Sequence, residues 1–306
     1  MSNKNTIDPI QNSSGDTITR FAFEDCDVRG EMITLTSSLN QAIQHQHLPP
    51  AGQKLLAEFL SAVSLLAGIL KFEGLLTLQI RGDGAVPLIM AEATHERSLR
   101  GIVKIHEGAD LTGLSLNEMI GHGVLSLTID PVKGQRYQGI VPIEGNSIAE
   151  CLSHYFTQSE QLPTKLWLFS DIDTQANAIA GGFFLQGLPA HYNKDPEQTA
   201  DTWLTLHTLA NTLKVEESLR LAHKVQLTRL FHEYAVIIND EVATQFACSC
   251  SQARSENALS AIGSEDAYAL LAEQGTITID CQFCGQKYRL DYADLDRLFG
   301  VDGTQH

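Results

Sequence analysis

The sequence predicts an α+β protein: mixed or antiparallel sheets around a buried helix, followed by a helical linker and a small cysteine-bearing C-terminal domain. Three observations carry this. Before about residue 190, short runs of alternating apolar residues outnumber helical stretches, leaving too few crossover helices for a doubly wound parallel sheet. One stretch, 53–71, is apolar on nearly every helical face, with Leu55, Leu56, Phe59, Val63, Leu66 and Leu70 spaced by Ala, Ser and Gly. A helix apolar all round belongs inside a core. Four of the six cysteines gather near the C-terminus, as Cys248-x-Cys250 and, thirty residues on, Cys281-x-x-Cys284.

Taken in order, the polar segment 1–17 lacks the apolar stretch of a secretory signal and is expected to be a disordered lead-in. Residues 21–28 alternate as a strand, followed by Gly30 and a second strand-like run, Met32 to Leu35. A helix over 37–47 should stop at Pro49-Pro50, ahead of the core helix 53–71. Its most apolar part, 60–70, is too short to span a bilayer and contains two serines, so no membrane association is expected. Strands 75–80 and 86–92 flank a turn at Arg81-Gly82-Asp83-Gly84. Further strands follow at 99–105, 124–129 and 137–142. A helix at 148–158 gathers Ile148, Leu152, Tyr155 and Phe156 on one face, and strands 165–172 and 178–186 close the core domain, 18–194. Asp195-Pro196 opens a helical linker, 195–247. There Trp203, Leu206, Leu209, Ala210 and Leu213 share a face, and a second helix, 216–234, has an apolar stripe broken by polar residues and should hold its place only marginally. The last domain is 248–306.

Composition sets limits. The chain has 306 residues, 43% of them hydrophobic, and a net charge of -16. Phosphate binding depends on Lys and Arg, so no nucleic-acid role is expected. Locally, 248–306 holds four basic residues against nine acidic ones, which also disfavours a nucleic-acid ribbon. There is no P-loop, no GxSxG and no HExxH, so no catalytic residues are assigned and the protein is not read as an enzyme. His95, His106 and His122 are scattered turn or surface histidines.

The cysteines carry the chemistry. Ile277 and Ile279 alternate before the second pair and Tyr288 and Leu290 after it, with Gly285 directly following Cys284. This reads as a knuckle between two short strands, its backbone N–H groups turned toward the sulfurs. Two close thiolate pairs suit a tetrahedral Zn2+ site of Cys248, Cys250, Cys281 and Cys284, one ion per chain. The first pair leaves one residue between ligands where zinc modules usually leave two to four. When oxidised it closes a small strained ring of the labile, regulatory kind. Spacing alone leaves three readings open: a redox-responsive site, a static zinc-stapled interaction module, and a thiol-disulfide oxidoreductase using Cys281 and Cys284. A thioredoxin-type pair would open a helix, whereas a strand follows here.

With this C-x-C and C-x-x-C spacing at the end of a chain of this size, the sequence resembles the 33 kDa chaperonin family, the redox-regulated heat-shock holdases. The segments Tyr155-Phe-Thr-Gln-Ser-Glu-Gln-Leu-Pro-Thr164, Gly181-Gly-Phe-Phe-Leu-Gln186 and Arg81-Gly-Asp-Gly84 are similar to that family too. The likeness covers nearly the whole chain after about residue 18. It implies a cytoplasmic, ATP-independent chaperone that binds unfolded client proteins under oxidative and heat stress. It also implies Cys248–Cys250 and Cys281–Cys284 disulfides, linker unfolding, and a homodimer when oxidised. Cys26 and Cys151 match no role in the family.

Overall fold

The computed structural model describes residues 15–159, 161–172, 177–189, 195–239 and 241–300. It is an α+β architecture of mixed and antiparallel sheets, as the sequence predicts, and it divides into two compact units, Met1–Ala247 and Cys248–His306. Residues 1–14 of the expected lead-in lie outside the described residues. Asp16 already belongs to the fold: its carboxylate accepts the backbone N–H groups of Thr36 at 2.6 Å and Ser37 at 3.0 Å.

The first strands are β1 (Thr17–Phe23) and β2 (Val28–Leu35), so the break falls at residues 24–27, inside the first expected strand, and the second strand begins before Gly30. Gly30 lies within β2 opposite Phe21, whose ring fills the space a side chain would need. After α1 (Ser37–Ile43) comes α2 (Pro50–Ile69), with Pro50 at its first position. There the missing N–H costs nothing, so the Pro49-Pro50 pair starts a helix as well as following one. At twenty residues, α2 is long and apolar enough to cross a bilayer, so the length argument drawn from 60–70 fails. Its surroundings decide instead. Leu56, Phe59, Leu60, Val63 and Leu66 are fully buried, each contributing roughly 1.5–3 kcal/mol.

Two sheets enclose α2. One contains β3 (Gly74–Gly82), β4 (Leu88–Thr94), β5 (Ser98–Lys104), β6 (Gly123–Pro131) and β7 (Tyr137–Pro142), with α3 (Leu116–Ile120) inserted before β6. After α4 (Ile148–Ser159), β8 (Thr164–Asp171) and β9 (Ile179–Gly187) join β1 and β2 in the other. The neighbouring strands in these parts run antiparallel. Helix α2 packs on β3, β4 and β5 of the first sheet and on β2, β8 and β9 of the second. The turn 81–84 is tight because Gly84 approaches the backbone of Met119 and Ile120, where a Cβ would stand 2.6 Å from each.

A second core covers the other face of the β1–β2–β9–β8 sheet. Helices α5 (Pro196–Ala210), α6 (Val215–Arg220) and α7 (His223–Leu230) bring Leu206, Leu227, Leu230 and Phe231 onto Phe21, Phe23 and Phe183. The expected single helix over 216–234 is two, because Leu221 and Ala222 are extended, with ψ of 144° and 140°. Two of the polar residues that interrupt its stripe, His223 and Gln226, face inward, while Lys224 and Arg229 are exposed. Gln226 donates to the carbonyl oxygens of Leu221 (2.7 Å) and Ser218 (3.2 Å), satisfying the broken helix end. The His223 ring bonds Thr19 and Thr34 at 2.7 and 2.9 Å. After Leu230 the chain turns to strands: β10 (Val236–Ile238) and β11 (Val242–Ala243) pair with β1, and β12 (Gln245–Phe246) runs parallel to β5.

The second unit contains α8 (Gln252–Ser260), α9 (Ser264–Gln274), β13 (Ile277–Asp280), β14 (Lys287–Leu290) and α10 (Tyr292–Phe299). Its buried core is Leu259, Ala267, Leu271, Ile277, Leu290 and Leu295.

Candidate metal centre

The knuckle forms as its sequence dictates. Strands β13 and β14 pair antiparallel, Ile277 opposite Leu290 and Asp280 opposite Lys287, so Cys281 and Cys284 occupy the connecting turn. The Cys281 N–H donates to the Gln286 carbonyl at 2.8 Å, and the Gly285 N–H donates to the Cys281 carbonyl at 2.8 Å. Gly285 has φ +70°, a conformation a side chain would strain. Cys248 and Cys250 lie on the extended segment just before α8, whose N-cap is Ser251. Arg254, in the first turn of α8, donates to the Ser249 hydroxyl at 2.6 Å. That bond holds the residue between the two cysteines.

All four sulfurs lie within 4.8 Å of one another. The Cys248–Cys281 separation is 3.6 Å and the Cys250–Cys284 separation is 3.4 Å. With metal–sulfur bonds of about 2.3 Å, a tetrahedral site sets its sulfurs roughly 3.8 Å apart. The donor set therefore fits a soft metal ion such as zinc, bound by Cys248, Cys250, Cys281 and Cys284. Partial burial, reinforced by hydrogen bonding among the sulfurs, pushes the Cys284 thiol up. A bound dication reverses such a shift, because it favours the thiolate.

Sequence reasoning missed one member of the site. Tyr288, read only as an alternating strand residue, donates its hydroxyl to the Cys250 sulfur at 3.1 Å. This bond pushes the phenol up to about 12. The only available signal was a hydroxyl-bearing side chain four residues beyond Cys284.

The remaining candidates lie elsewhere. Cys26 sits in the β1–β2 turn with its thiol pushed up to about 11 by burial, and Cys151 is buried in α4. His95 meets the backbone of Gly74, and His122 meets Asp83 through its backbone N–H and its ring. Among the described residues, the four cysteines are the one group of three or more His, Cys, Asp or Glu side chains placed to hold a metal.

Comparison with known proteins agrees with this architecture. The family model described as "Hsp33 protein" matches residues 16–291. A 33 kDa chaperonin of Pseudomonas paraeruginosa is 48% identical over 294 residues, covering 96% of this chain and 97% of its own length. One from Azotobacter vinelandii is 46% identical over 293 residues, covering 95% and 97%. The crystal structure of the Thermotoga maritima 33 kDa chaperonin (heat shock protein 33 homolog) superposes with a TM-score of 0.81 at 23% identity. That match covers 94% of this chain and 99% of the other, and it shows the shared fold.

Proposed function

The chain belongs to the Hsp33 family, and from that premise we propose that it is a cytoplasmic, ATP-independent holdase whose four-cysteine zinc site is its redox switch. The observation that carries the switch is the convergence of four sulfurs within 4.8 Å in a unit whose described residues bury six apolar side chains. Zinc, when bound, holds the sulfurs as thiolates and contributes its binding free energy to the folding of the C-terminal unit.

Oxidation acts on the sulfurs. A thiolate attacks one oxygen of a peroxide, the O–O bond breaks, and hydroxide leaves behind a sulfenic acid. A second thiolate then displaces hydroxide from that sulfur and closes the disulfide, so each disulfide consumes one peroxide, whose two oxygens leave as hydroxide with the two electrons the thiolates give up. Two close separations, of 3.6 and 3.4 Å, run across the pairs, Cys248 to Cys281 and Cys250 to Cys284, yet the pairing we assign is Cys248–Cys250 and Cys281–Cys284. Once the unit loosens, closing a loop of one or two residues costs less entropy than closing one of about thirty. The family resemblance supports the same pairing.

Loss of the ligands leaves residues 248–306 without their main stabiliser. The two-residue strand β12, immediately upstream, then carries an unfolded tail. Loosening that spreads to α6 and α7 uncovers Phe21, Phe23 and Phe183, an aromatic surface suited to unfolded clients. The oxidised chain pairs as a homodimer. The acidic charge of -16 helps keep a client-loaded chaperone soluble.

The test joins two readouts. Peroxide is added at mildly unfolding temperature while zinc release and light scattering of an aggregating client are followed together. About one zinc should leave per chain, with scattering suppressed only afterwards. Retained zinc, or release without holding, would leave a static staple; catalytic turnover of a disulfide substrate would indicate an oxidoreductase.

A further inference from the structure

A cavity of about 580 Å³ opens in the first unit between the N-terminal turns of α2, the 109–119 segment and the start of α4. Its wall includes Leu55, Leu111, Leu116, Met119 and Ile148, so it is mainly apolar, and its volume is that of a small-molecule site. Two charged residues of α2, Lys54 and Glu58, also line it. Only 16% of the Glu58 side chain is exposed, and its ion pair with Lys54 is long, at 3.9 Å, with Lys54 itself 64% exposed. Among the described residues, the Glu58 carboxylate accepts no hydrogen bond. Burial pushes it up to about 7, the mark of a carboxylate without adequate compensation.

We propose that this cavity binds a small amphipathic cation, with an apolar body against the leucine and methionine wall and an ammonium group on the Glu58 carboxylate. The proposal goes beyond the holdase reading and does not depend on it. The sign of the ligand charge follows from weighing the groups present. A second carboxylate, Asp110, also lines the cavity and is held by the Thr112 N–H at 2.9 Å. The N-termini of α2 and α4 favour an anion, but each is partly answered from within the chain. Pro50 has no N–H, and the Gln53 N–H is bonded to the Pro49 carbonyl. The Glu150 N–H bonds Ser147, and the Glu150 carboxylate accepts from the Asn146 N–H. Lys54 is the resident cation, loosely placed, and a ligand ammonium would displace it.

The experiment uses the reduced, zinc-loaded full chain and three probes of one shape: tryptamine, neutral tryptophol and indole-3-propionate. Calorimetric titration should find tryptamine at least tenfold tighter than tryptophol, and methyl NMR should place the shifts on Leu55, Leu111 and Met119. Glu58→Gln should bring the two affinities within about twofold while leaving the fold intact, since it removes only a desolvated acid. Lys54→Met should tighten tryptamine several-fold by removing its competitor. Equal affinities, a preference for indole-3-propionate, shifts elsewhere, or no binding at millimolar concentration would overturn the proposal. So would a Glu58→Gln protein that keeps the preference. Should that variant fail to fold, an unchanged or weakened tryptamine affinity in Lys54→Met would overturn it independently.

Discussion

Glu31 sits in the middle of the first unit with its side chain fully enclosed. Arg20 Nε donates to its Oε1 at 2.8 Å, while Oε2 has no partner. Burial outweighs the attraction of Arg20 and raises the carboxyl to about 7. The folded chain therefore holds this proton more tightly than the unfolded chain, whose carboxyl titrates near 4.5. Stability from this group is fully present below that value and is lost as pH rises through 7, by about 3 kcal/mol in all. Glu58 shifts the same way, and His223, lowered to about 4 by burial, shifts the opposite way, so the clean quantity is a difference. Urea unfolding at pH 5 and pH 7.5 should show wild type gaining on acidification by about 2 kcal/mol more than Glu31→Gln. Parallel profiles would mean that Glu31 is ionised in the fold. Tyr288 makes a second residue-scale case. Its hydroxyl bond withdraws electron density from the Cys250 sulfur and is worth about 1 kcal/mol. In zinc-loaded Tyr288→Phe, iodoacetamide should modify Cys250 about fivefold faster, with Cys248, Cys281 and Cys284 unchanged when followed by mass spectrometry. A uniform acceleration at all four would mark Tyr288 as merely structural.

Among the elements, those with clear periodicity were legible and those held by single contacts were not. The β13–β14 knuckle was readable because alternation on both sides of Cys-x-x-Cys-Gly leaves one register, and α2 because few positions in it admit a polar face. Strands β10 to β12 are two or three residues long, too short for alternation to register, and are specified by pairing with β1 and β5. The break between α6 and α7 carries neither Gly nor Pro; it depends on the Gln226 amide reaching the carbonyls of Ser218 and Leu221. His223 likewise reads as a polar interruption, yet it links α7 to both β1 and β2 through Thr19 and Thr34. Helix α7 is thus held by a few defined contacts, chiefly His223 and the fully buried Leu227. Leu227→Ala should cost roughly 2–5 kcal/mol and loosen the layer over Phe21 and Phe183. The reduced variant should suppress client aggregation before any oxidant is added. If it loses stability yet holds no client until oxidised, the surface beneath α7 is not where clients bind.

At the scale of the whole chain, the two units differ in what holds them. The first buries α2 between two sheets and adds a second aromatic core under α5 to α7, ample for independent stability. The second has roughly 60 residues, near the lower limit for a core acting alone, and its buried apolar set is Leu259, Ala267, Leu271, Ile277, Leu290 and Leu295. Zinc binding to such modules contributes on the order of 10–16 kcal/mol, more than the total stability of many domains. Removing the metal from fully reduced protein therefore tests whether the thiolate cluster, and not the small core, maintains the fold of 248–306. With a strong chelator and excess reductant, hydrogen exchange should show amide protection lost across β13, β14 and α8 to α10, while α2 and the central strands β3 and β9 keep theirs. Protection surviving throughout the C-terminal unit would mean that its core suffices without metal, and oxidation of the cysteines could then not act by unfolding it. Loss in α2 as well would mean that the first unit is not self-sufficient, and the proposed holdase, which must stay folded while its C-terminal unit unfolds, could not be built on it.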